Sequence, residues 1–499
     1  MKWAGWRRVR QAVQVLSLGV FVYLLYAALQ RQTALPLADL FFRLDPLPGL
    51  AAMVAARTWL PRLALGLVTL GLTLVVGRVW CGWLCPMGTV LEWARFTGAA
   101  KRQARISPRW RLAKNLLLLV IAAGALVGSL TLLVLDPLTL LTRSLTVAVL
   151  PALDHAITAI ETTLYTVGPL QPVVDAMEQS LRGPVLPVEQ PAFAQNITLL
   201  LLLGGILALN ALADRFWCRY LCPLGALLGY LSRFSLLRPV LNTSCRRCAR
   251  CERACRLGAI DAQKGYSIQA SECTVCLDCL TVCPQEMAGF RLRPSMEPWR
   301  EYDPSRRQFL GALVAGAAGA AVLRTGVQAR VRPTQLMRPP GVEDEASFLS
   351  RCVRCSECMK VCPTNALQPS VLDAGLEGLW TPHLVPRIGY CDYGCNACGQ
   401  ICPTGAIPAL DLAAKRQAVI GLAAVDHNRC LPWAYSVPCI VCQEMCPVPE
   451  KAIKLDVLTL ADGTKLPRPV VREDLCIGCG ICEHQCPASG QAAIRVYSK

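Results

Sequence analysis

Cysteines recur along this chain in short, evenly spaced groups, and no other feature restricts its fold as strongly. The sequence has 499 residues, 28 of them cysteine, but only four histidines. A disulfide framework is typical of short secreted chains, whereas Cys-x-x-Cys groups are typical of metal binding. The spacing therefore predicts metal-bound thiolates rather than a disulfide-bonded core.

Two of these groups lie near the middle of the chain. Each has three cysteines at intervals of three residues and a fourth cysteine after three more residues, the spacing of bacterial 4Fe–4S ferredoxins. In that arrangement the first three thiolates hold one cluster and the fourth belongs to the partner cluster. Zinc, the alternative, takes four ligands in two pairs. The predicted ligand sets are Cys245, Cys248, Cys251 with Cys283, and Cys273, Cys276, Cys279 with Cys255.

Four further groups follow in the C-terminal part. Two are regular, one has an extra residue, and one has eight residues between its first two cysteines. Their sixteen cysteines divide evenly into four clusters, so we expect six 4Fe–4S clusters in all. The groups are Cys352, Cys355, Cys358, Cys362; Cys391, Cys395, Cys398, Cys402; Cys430, Cys439, Cys442, Cys446; and Cys476, Cys479, Cys482, Cys486.

The N-terminal half has the composition of a membrane protein. The chain is 54% hydrophobic and 17% charged, and four apolar runs approach the ~20 residues that span a bilayer. Basic residues follow the second and fourth runs and acidic residues fill loop 136–195, which places that loop outside and both ends of this half in the cytoplasm. The charge of +17 thus follows membrane topology and does not indicate nucleic acid. The predicted spans are Val9–Leu29, Leu60–Trp80, Leu112–Leu135 and Ile197–Ala213, and Pro151–Gln190 is expected along the outer interface.

An internal repeat marks this half. RVWCGWLCPMG at 78–88 matches RFWCRYLCPLG at 215–225. Cysteines four apart share one face of a helix, so the two copies can bring Cys81, Cys85, Cys218 and Cys222 together near a pseudo-two-fold axis. Such a site predicts a redox or metal centre; the alternative is that these cysteines pack as small apolar residues.

Arg306 and Arg307 precede the apolar run Phe309–Leu323. An arginine pair before such a run is typical of a twin-arginine export signal; the alternative is a basic turn before an ordinary helix. Export would leave residues before Ser305 on the cytoplasmic side and deliver those after about Arg330 across the membrane. Val327-Gln328-Ala329 is an acceptable cleavage site, but we expect the run to be retained as a fifth membrane helix.

Several cofactors have no visible site. The sequence has no Cys-x-x-Cys-His for c-type haem and no Gly-x-Gly-x-x-Gly after a strand. His155, the one histidine in the membrane half, falls in the outer loop. We assign no catalytic residue; the pattern favours electron transfer.

The chain resembles two known proteins in succession. Its first ~300 residues, with both Cys-x-x-x-Cys-Pro motifs and the two-cluster ferredoxin, are similar to NapH-type quinol dehydrogenase subunits, a core shared with NosR and CcoG. From about residue 305 it is similar to NapG/MauM-type periplasmic ferredoxins. The resemblance implies that the first and fourth C-terminal groups share two clusters and the second and third share two others; pairing in sequence order is the alternative.

The resemblance also implies the function. We expect an electron-transfer subunit of a quinol-linked oxidoreductase in the bacterial cytoplasmic membrane, with quinone, a periplasmic redox enzyme or cytochrome, and the twin-arginine translocase as partners. An assembly or metal-reducing factor and a regulatory sensor are the alternatives. The fold expected is an α-helical membrane bundle with two α+β ferredoxin-like domains. The predicted domains are a membrane domain at 1–235, a cytoplasmic ferredoxin at 236–300, a signal helix at 301–330 and a periplasmic ferredoxin at 331–499.

Overall fold

A computed structural model describes most of the chain. The described residues are 2–29, 37–96, 106–182, 186–187, 190–241, 245, 247–261, 266–283, 288–292, 303–325, 336–371, 373–459 and 465–498. The predicted cleavage site Val327-Gln328-Ala329 lies outside them.

The chain forms two compact units, each built from three stretches. The first unit comprises Met1–Tyr26, Asp39–Thr142 and Thr198–Val322, and the second comprises Ala27–Ala38, Arg143–Ile197 and Leu323–Lys499. The first unit thus includes the repeated Cys-x-x-x-Cys-Pro motifs and the first two cysteine groups. The second includes the acidic loop from Arg143 onward and the four C-terminal groups.

Helices dominate the chain up to residue 325. Prolines occupy the first turns of several of them, where no backbone donor is needed. The α-helices here are Lys2–Leu29, Leu40–Leu44, Pro46–Ala56, Gly66–Val76, Pro86–Trp93, Leu112–Leu126, Pro137–Ser144, Leu150–Tyr165, Gln171–Leu181, Asn196–Ala208, Pro223–Ser232, Arg250–Ala254, Asp278–Thr281 and Arg306–Thr325.

Within the described residues, two helical stretches are long and apolar enough to cross a bilayer. Gly5–Leu29 has a mean hydropathy of 2.0 and coincides with the first predicted span. Pro137–Tyr165, with a mean hydropathy of 1.2, falls in the predicted outer loop, and 56% of its most apolar window is buried within the protein, as in a core helix. Length and composition therefore support membrane association but do not by themselves fix the number of crossings.

The other predicted spans are shorter than expected. Gly66–Val76, Leu112–Leu126 and Asn196–Ala208 contain 11, 15 and 13 residues. At 1.5 Å per residue even fifteen residues cover only about 22 Å of a ~30 Å hydrocarbon core. Gly77 at φ 86° and Gly128 at φ 88° explain two of these ends, because a left-handed residue terminates a helix.

Small antiparallel strand pairs surround the first two cysteine groups. Strand Leu237–Leu241 pairs with Ala288–Leu292, and Ile260–Asp261 pairs with Ser267–Ile268. These pairs and the short helices Arg250–Ala254 and Asp278–Thr281 give the α+β arrangement expected of a two-cluster ferredoxin.

The second unit repeats that arrangement around the four C-terminal groups. Its strand pairs are Leu367–Pro369 with Pro382–Leu384, Leu422–Val425 with Ile494–Tyr497, and Ile453–Thr459 with Lys465–Val471. The helices after residue 336 are Glu345–Arg351, Glu357–Lys360, Ala397–Ile401, Leu412–Gln417, Leu431–Ala434, Val441–Glu444 and Ile481–His484.

Candidate redox sites

One predicted ligand set of the first ferredoxin lines a single cavity. Cys255 joins Cys273, Cys276 and Cys279 there, in the combination that the ferredoxin spacing predicts. Cys251 lies close enough to Cys245 and Cys248 for their charges to interact. Cys279 is also within range of Cys251, so the two cysteine sets are neighbours.

In the C-terminal domain the cysteine groups pair in sequence order. Three cavities are lined by Cys352, Cys355, Cys358 with Cys402; by Cys362 with Cys391, Cys395, Cys398; and by Cys430, Cys439, Cys442 with Cys486. Cys479 interacts with Cys446 and Cys476, and Cys482 interacts with Cys476 and Cys479, which completes the fourth set.

This arrangement corrects the prediction that the first C-terminal group shares its clusters with the fourth group and the second with the third. Strand Leu367–Pro369, which follows the first group, pairs with Pro382–Leu384, which precedes the second. Strand Leu422–Val425 precedes the third group and pairs with Ile494–Tyr497 after the fourth. Each strand pair therefore brings together two groups that are consecutive in the sequence.

The cysteine sets suit iron–sulfur cubes. Backbone amides donate to ligand sulfurs, from Ala259 to Cys255 Sγ at 3.1 Å and from Ala493 to Cys486 Sγ at 3.3 Å. Burial raises the pKa of Cys391 to about 11 and that of Cys479 to about 12, so a cationic centre must be bound to keep these thiols ionised. Among the described residues, no group of three or more His, Cys, Asp or Glu side chains could hold a single metal ion. A four-iron cube needs sulfurs that lie farther apart than the ligands of one ion.

The four C-terminal sets succeed one another as neighbours. Cys358 of the first set interacts with Cys398 of the second. The amide of Cys391 donates to the carbonyl of Cys479 at 2.8 Å, which joins the second set to that of Cys446. Cys482, in the set of Cys446, then interacts with Cys442, in the set completed by Cys486. Clusters bound at these positions would form a continuous series of four.

The repeated Cys-x-x-x-Cys-Pro motif forms two π-helical turns, at Trp80–Leu84 and Trp217–Leu221. The amides of Cys85 and Cys222 donate to the carbonyls of Trp80 and Trp217, both at 2.9 Å. Each second cysteine thus leaves the turn in extended conformation and precedes a proline that starts the next helix. The prediction of two cysteines on one α-helical face was wrong, because a π turn, a frequent feature of functional sites, replaces the α turn.

The four cysteines of the repeat nevertheless converge. All are buried; Cys85 lies within electrostatic range of Cys81 and Cys218, and Cys222 within range of the other three. The amide of Gly225 donates to Cys222 Sγ at 3.2 Å. The structure therefore assembles the four-thiol site that the repeat predicts.

Two buried arginines cross between the copies of the repeat. Arg78 and Arg215, 1% and 2% exposed, both interact with Cys81, and Arg78 also reaches Cys222 of the opposite copy. A Cβ atom at Gly225 would lie 2.8 Å from Arg78 Nη2. The sequence pattern alone indicated no role for these arginines, although each is the first residue of its repeat copy. Their positive charges favour a negatively charged centre on the thiols.

The first ferredoxin packs directly on this site. Arg78 Nη1 donates to the carbonyl of Ser271 at 2.8 Å, and Trp83 Nε1 donates to that of Val275 at 2.9 Å. Gly82 leaves room for the carbonyl of Thr274, which any side chain there would displace. The loop that carries Cys273 is therefore in contact with the turn that carries Cys81.

Buried charges stabilise the contact between the Cys273 loop and the Cys81 turn. Glu272, 2% exposed, accepts from Lys114 Nζ at 2.7 Å and lies 3.6 Å from Arg78 Nη1. Burial by itself would raise the pKa of Glu272, but Lys114, Arg111 and Arg78 lower it to about 2. The carboxylate consequently stays ionised at neutral pH and holds the ferredoxin loop against the cysteine turn.

A second repeated feature, Asp-Pro-Leu at 45–47 and 136–138, was not recognised in the sequence. Asp45 Oδ1 accepts from the amide of Leu47 at 3.0 Å, and Asp136 Oδ2 accepts from that of Leu138 at 3.1 Å. Both carboxyl groups are fully buried and lie within electrostatic range of each other. The negative charge of each therefore disfavours ionisation of the other.

Comparisons with known proteins identify the class as iron–sulfur proteins. A family described as "4Fe-4S binding domain" matches residues 58–104 and again 195–242, the two copies of the membrane repeat. A second family with the same description matches 348–368 and 469–489. No solved structure matches the chain.

Curated relatives define the family more closely. The methylamine utilization ferredoxin-type protein MauM of Methylorubrum extorquens is 39% identical over 205 residues, 39% of this chain and 90% of the relative. The ferredoxin-type protein NapG of Escherichia coli is 37% identical over 201 residues, 38% of this chain and 84% of NapG. The chain belongs to this family of ferredoxin-type iron–sulfur electron-transfer proteins. The resemblance of its first ~300 residues to NapH stays a prediction.

Proposed function

We propose that this protein passes electrons between the quinol pool and a redox partner outside the bacterial cytoplasmic membrane. The observation that carries the proposal is the direct packing of the Cys273 loop on the Cys81 turn, fixed by the hydrogen bonds of Arg78 and Trp83. Electron transfer between redox centres requires close approach. An apolar domain with a thiol site against a ferredoxin suits exchange with a membrane carrier.

The thiols of Cys81, Cys85, Cys218 and Cys222 are the proposed membrane redox centre. The two arginine charges would stabilise a reduced, more negative state of a metal centre bound there. In the ferredoxins, 4Fe–4S clusters on the predicted cysteines would accept and release one electron at a time. The contribution of the chain itself is to position these centres and to supply hydrogen bonds and charge around their sulfurs.

Contacts within the second unit support export of the C-terminal domain. Gln368 Nε2 donates to the carbonyl of Ala192 at 3.0 Å, and its Oε1 accepts from the amide of Ala194 at 3.2 Å. The Arg143 guanidinium lies 4.1 Å from the centre of the Trp380 ring. Charge distribution predicts that loop 136–195 lies outside, and a domain that packs on this loop would then lie on the same side. Arg306 and Arg307, at the start of helix Arg306–Thr325, are the proposed signal for the twin-arginine translocase.

The set of Cys430, Cys439, Cys442 and Cys486 is the proposed site at which electrons pass to the outer redox partner. The eight residues between Cys430 and Cys439 carry Tyr435, which is 64% exposed, and Ile440 next to Cys439 is 45% exposed. Exposed apolar side chains next to a cluster suit brief docking of a redox protein. This insertion is the one large departure from regular spacing among the C-terminal groups.

Anaerobic reduction by menaquinol or ubiquinol tests the proposal. The broad visible absorbance of the purified full-length protein should bleach when quinol is added. Cys218→Ser should abolish most of the bleaching while the iron of the six ferredoxin clusters is retained, because it removes a ligand of the proposed entry centre. Cys439→Ser, the matched control at the other end, should remove only about a sixth.

If every cluster stayed oxidised in the presence of excess quinol, the proposal would be contradicted. Equal amplitude losses in Cys218→Ser and Cys439→Ser would remove the special role of the membrane thiols.

A further inference from the structure

A cavity lined by arginines opens beside Cys255 in the first unit. Its volume is about 230 Å³, several times the ~30 Å³ of a water molecule in the liquid. No step of electron transfer uses its polar side chains. They are Arg7, Arg95, Arg253, Arg256, Asp214 and Asp278.

Positive charge in the cavity exceeds negative charge. Both oxygens of Asp278 are engaged, Oδ1 by Arg7 Nε at 3.2 Å and Oδ2 by Arg256 Nε at 3.1 Å. Arg95 and Arg253 are exposed and form no ion pair within the described part of the chain. The cavity therefore presents guanidinium groups, whose planar donors suit phosphate oxygens, without enough carboxylates to neutralise them.

Exposed aromatic side chains flank the same arginines in the sequence. Trp6 precedes Arg7 and is 54% exposed, while Trp93 and Phe96 flank Arg95 and are 55% and 44% exposed. Tryptophans concentrate where a membrane meets water. Basic pockets between membrane helices on the cytoplasmic side are typical sites for anionic headgroups.

We infer that this cavity binds the phosphate headgroup of an anionic phospholipid at the cytoplasmic surface. The inference rests on the membrane placement in the proposed function but not on electron transfer. A headgroup there would lie next to Cys255 and add negative charge beside that cluster. It would also join the start of helix Lys2–Leu29, through Arg7, to the ferredoxin through Arg253.

Lipid retention by the purified full chain tests the inference. After partial delipidation, phosphatidylglycerol or phosphatidylcholine is added and bound lipid is measured by native mass spectrometry. Phosphatidylglycerol should bind preferentially. Arg7→Gln combined with Arg253→Gln should weaken phosphatidylglycerol binding by about twenty-fivefold, since each charge removed near a membrane surface contributes about fivefold.

Arg250→Gln is the matched control, because Arg250 is exposed on the same short helix as Arg253 but does not line the cavity. It should change retention less than twofold. Equal binding of the two lipids, or equal losses in Arg250→Gln and the double variant, would overturn the inference. Displacement by inorganic phosphate at the same concentration as the lipid would also overturn it, since the site would then select free phosphate. Quinol bleaching measured on the same samples shows separately whether the proposed function fails.

Discussion

The two cluster-bearing regions of this chain are held together in different ways. In the first unit the ferredoxin loop packs beside the cysteines of the repeat through buried charges: Glu272 lies 2.7 Å from Lys114 Nζ and 3.6 Å from Arg78 Nη1. In the C-terminal domain neighbouring sets are joined by backbone contacts such as that between Cys391 and Cys479. The first region therefore depends on charged side chains that a substitution can remove, whereas the second depends on the backbone.

The largest effect should come from cysteine substitutions that test the C-terminal pairing. Cys352→Ser combined with Cys402→Ser should lose one cluster, about four iron atoms per chain, since both residues line one cavity. Cys352→Ser combined with Cys486→Ser should lose two clusters, because these cysteines line different cavities. Iron analysis of the purified variants distinguishes the outcomes. If the first double variant lost more iron than the second, sequential pairing would be wrong.

Glu272→Gln should destabilise the first unit strongly. Removing one partner of a buried ion pair typically costs about 3–5 kcal/mol, and here the charges of Lys114 and Arg78 would lose their carboxylate. Thermal unfolding followed by circular dichroism should show a lower midpoint. Glu473→Gln, at an exposed residue, serves as the control and should leave the midpoint unchanged.

The same carboxylate predicts a pH dependence. Its folded-state pKa of about 2 lies below the ordinary 4.5, so its contribution is fully present above pH 4.5 and is lost as pH falls towards 2. Wild-type stability should therefore decline through this range more steeply than that of Glu272→Gln. Parallel stability curves for the two proteins would contradict the assignment.

A smaller effect is expected at the crossing arginines. Gly225→Ala places a Cβ atom 2.8 Å from Arg78 Nη2, and overpacking of this kind costs about 1–3 kcal/mol. Gly205→Ala is the matched control within helix Asn196–Ala208, where nothing lies within 4 Å of the added atom; alanine should stabilise that helix slightly. Denaturant unfolding measures both. Equal free energies of unfolding for the two variants would show that the Arg78 side chain moves aside without loss of stability.

The smallest effect concerns the outer loop. Gln368→Ala removes the hydrogen bond that its Oε1 accepts from the amide of Ala194. Hydrogen exchange at that amide should accelerate, by about fivefold if the bond contributes about 1 kcal/mol. Gln400→Ala, at an exposed glutamine, is the control and should leave hydrogen exchange at the Ala194 amide unchanged. Unchanged exchange in Gln368→Ala would count against docking of the loop on the C-terminal domain.

Local spacing predicted the ligand set of Cys255 with Cys273, Cys276 and Cys279, because four closely spaced thiols leave few ways to hold a cube. It also predicted the meeting of Cys81 with Cys218, since a repeated motif implies a symmetric site. The C-terminal pairing depends on strands far apart in the chain and was predicted wrongly. The short-range pattern around Cys85 gave no sign of a π turn, because an α turn has the same sequence periodicity.

Other features were present in the sequence without an evident role. Arg78 and Arg215 begin matching motifs, and Asp45 and Asp136 begin another. Only the structure shows that both arginines reach Cys81 and that the two aspartates lie within electrostatic range of each other. The premature helix ends at Gly77 and Gly128 follow from their left-handed backbone, whereas glycine also occurs within membrane helices. Hydropathy alone consequently overestimated the helix lengths.

The location of the C-terminal domain tests the account most directly. An epitope tag after Lys499 can be probed with protease added to intact spheroplasts of a bacterium that has a twin-arginine translocase. The account predicts digestion of the tag in the wild-type protein and protection when Arg306→Lys and Arg307→Lys are combined. A protected tag on the wild-type protein, with the spheroplasts shown to be intact, would contradict it.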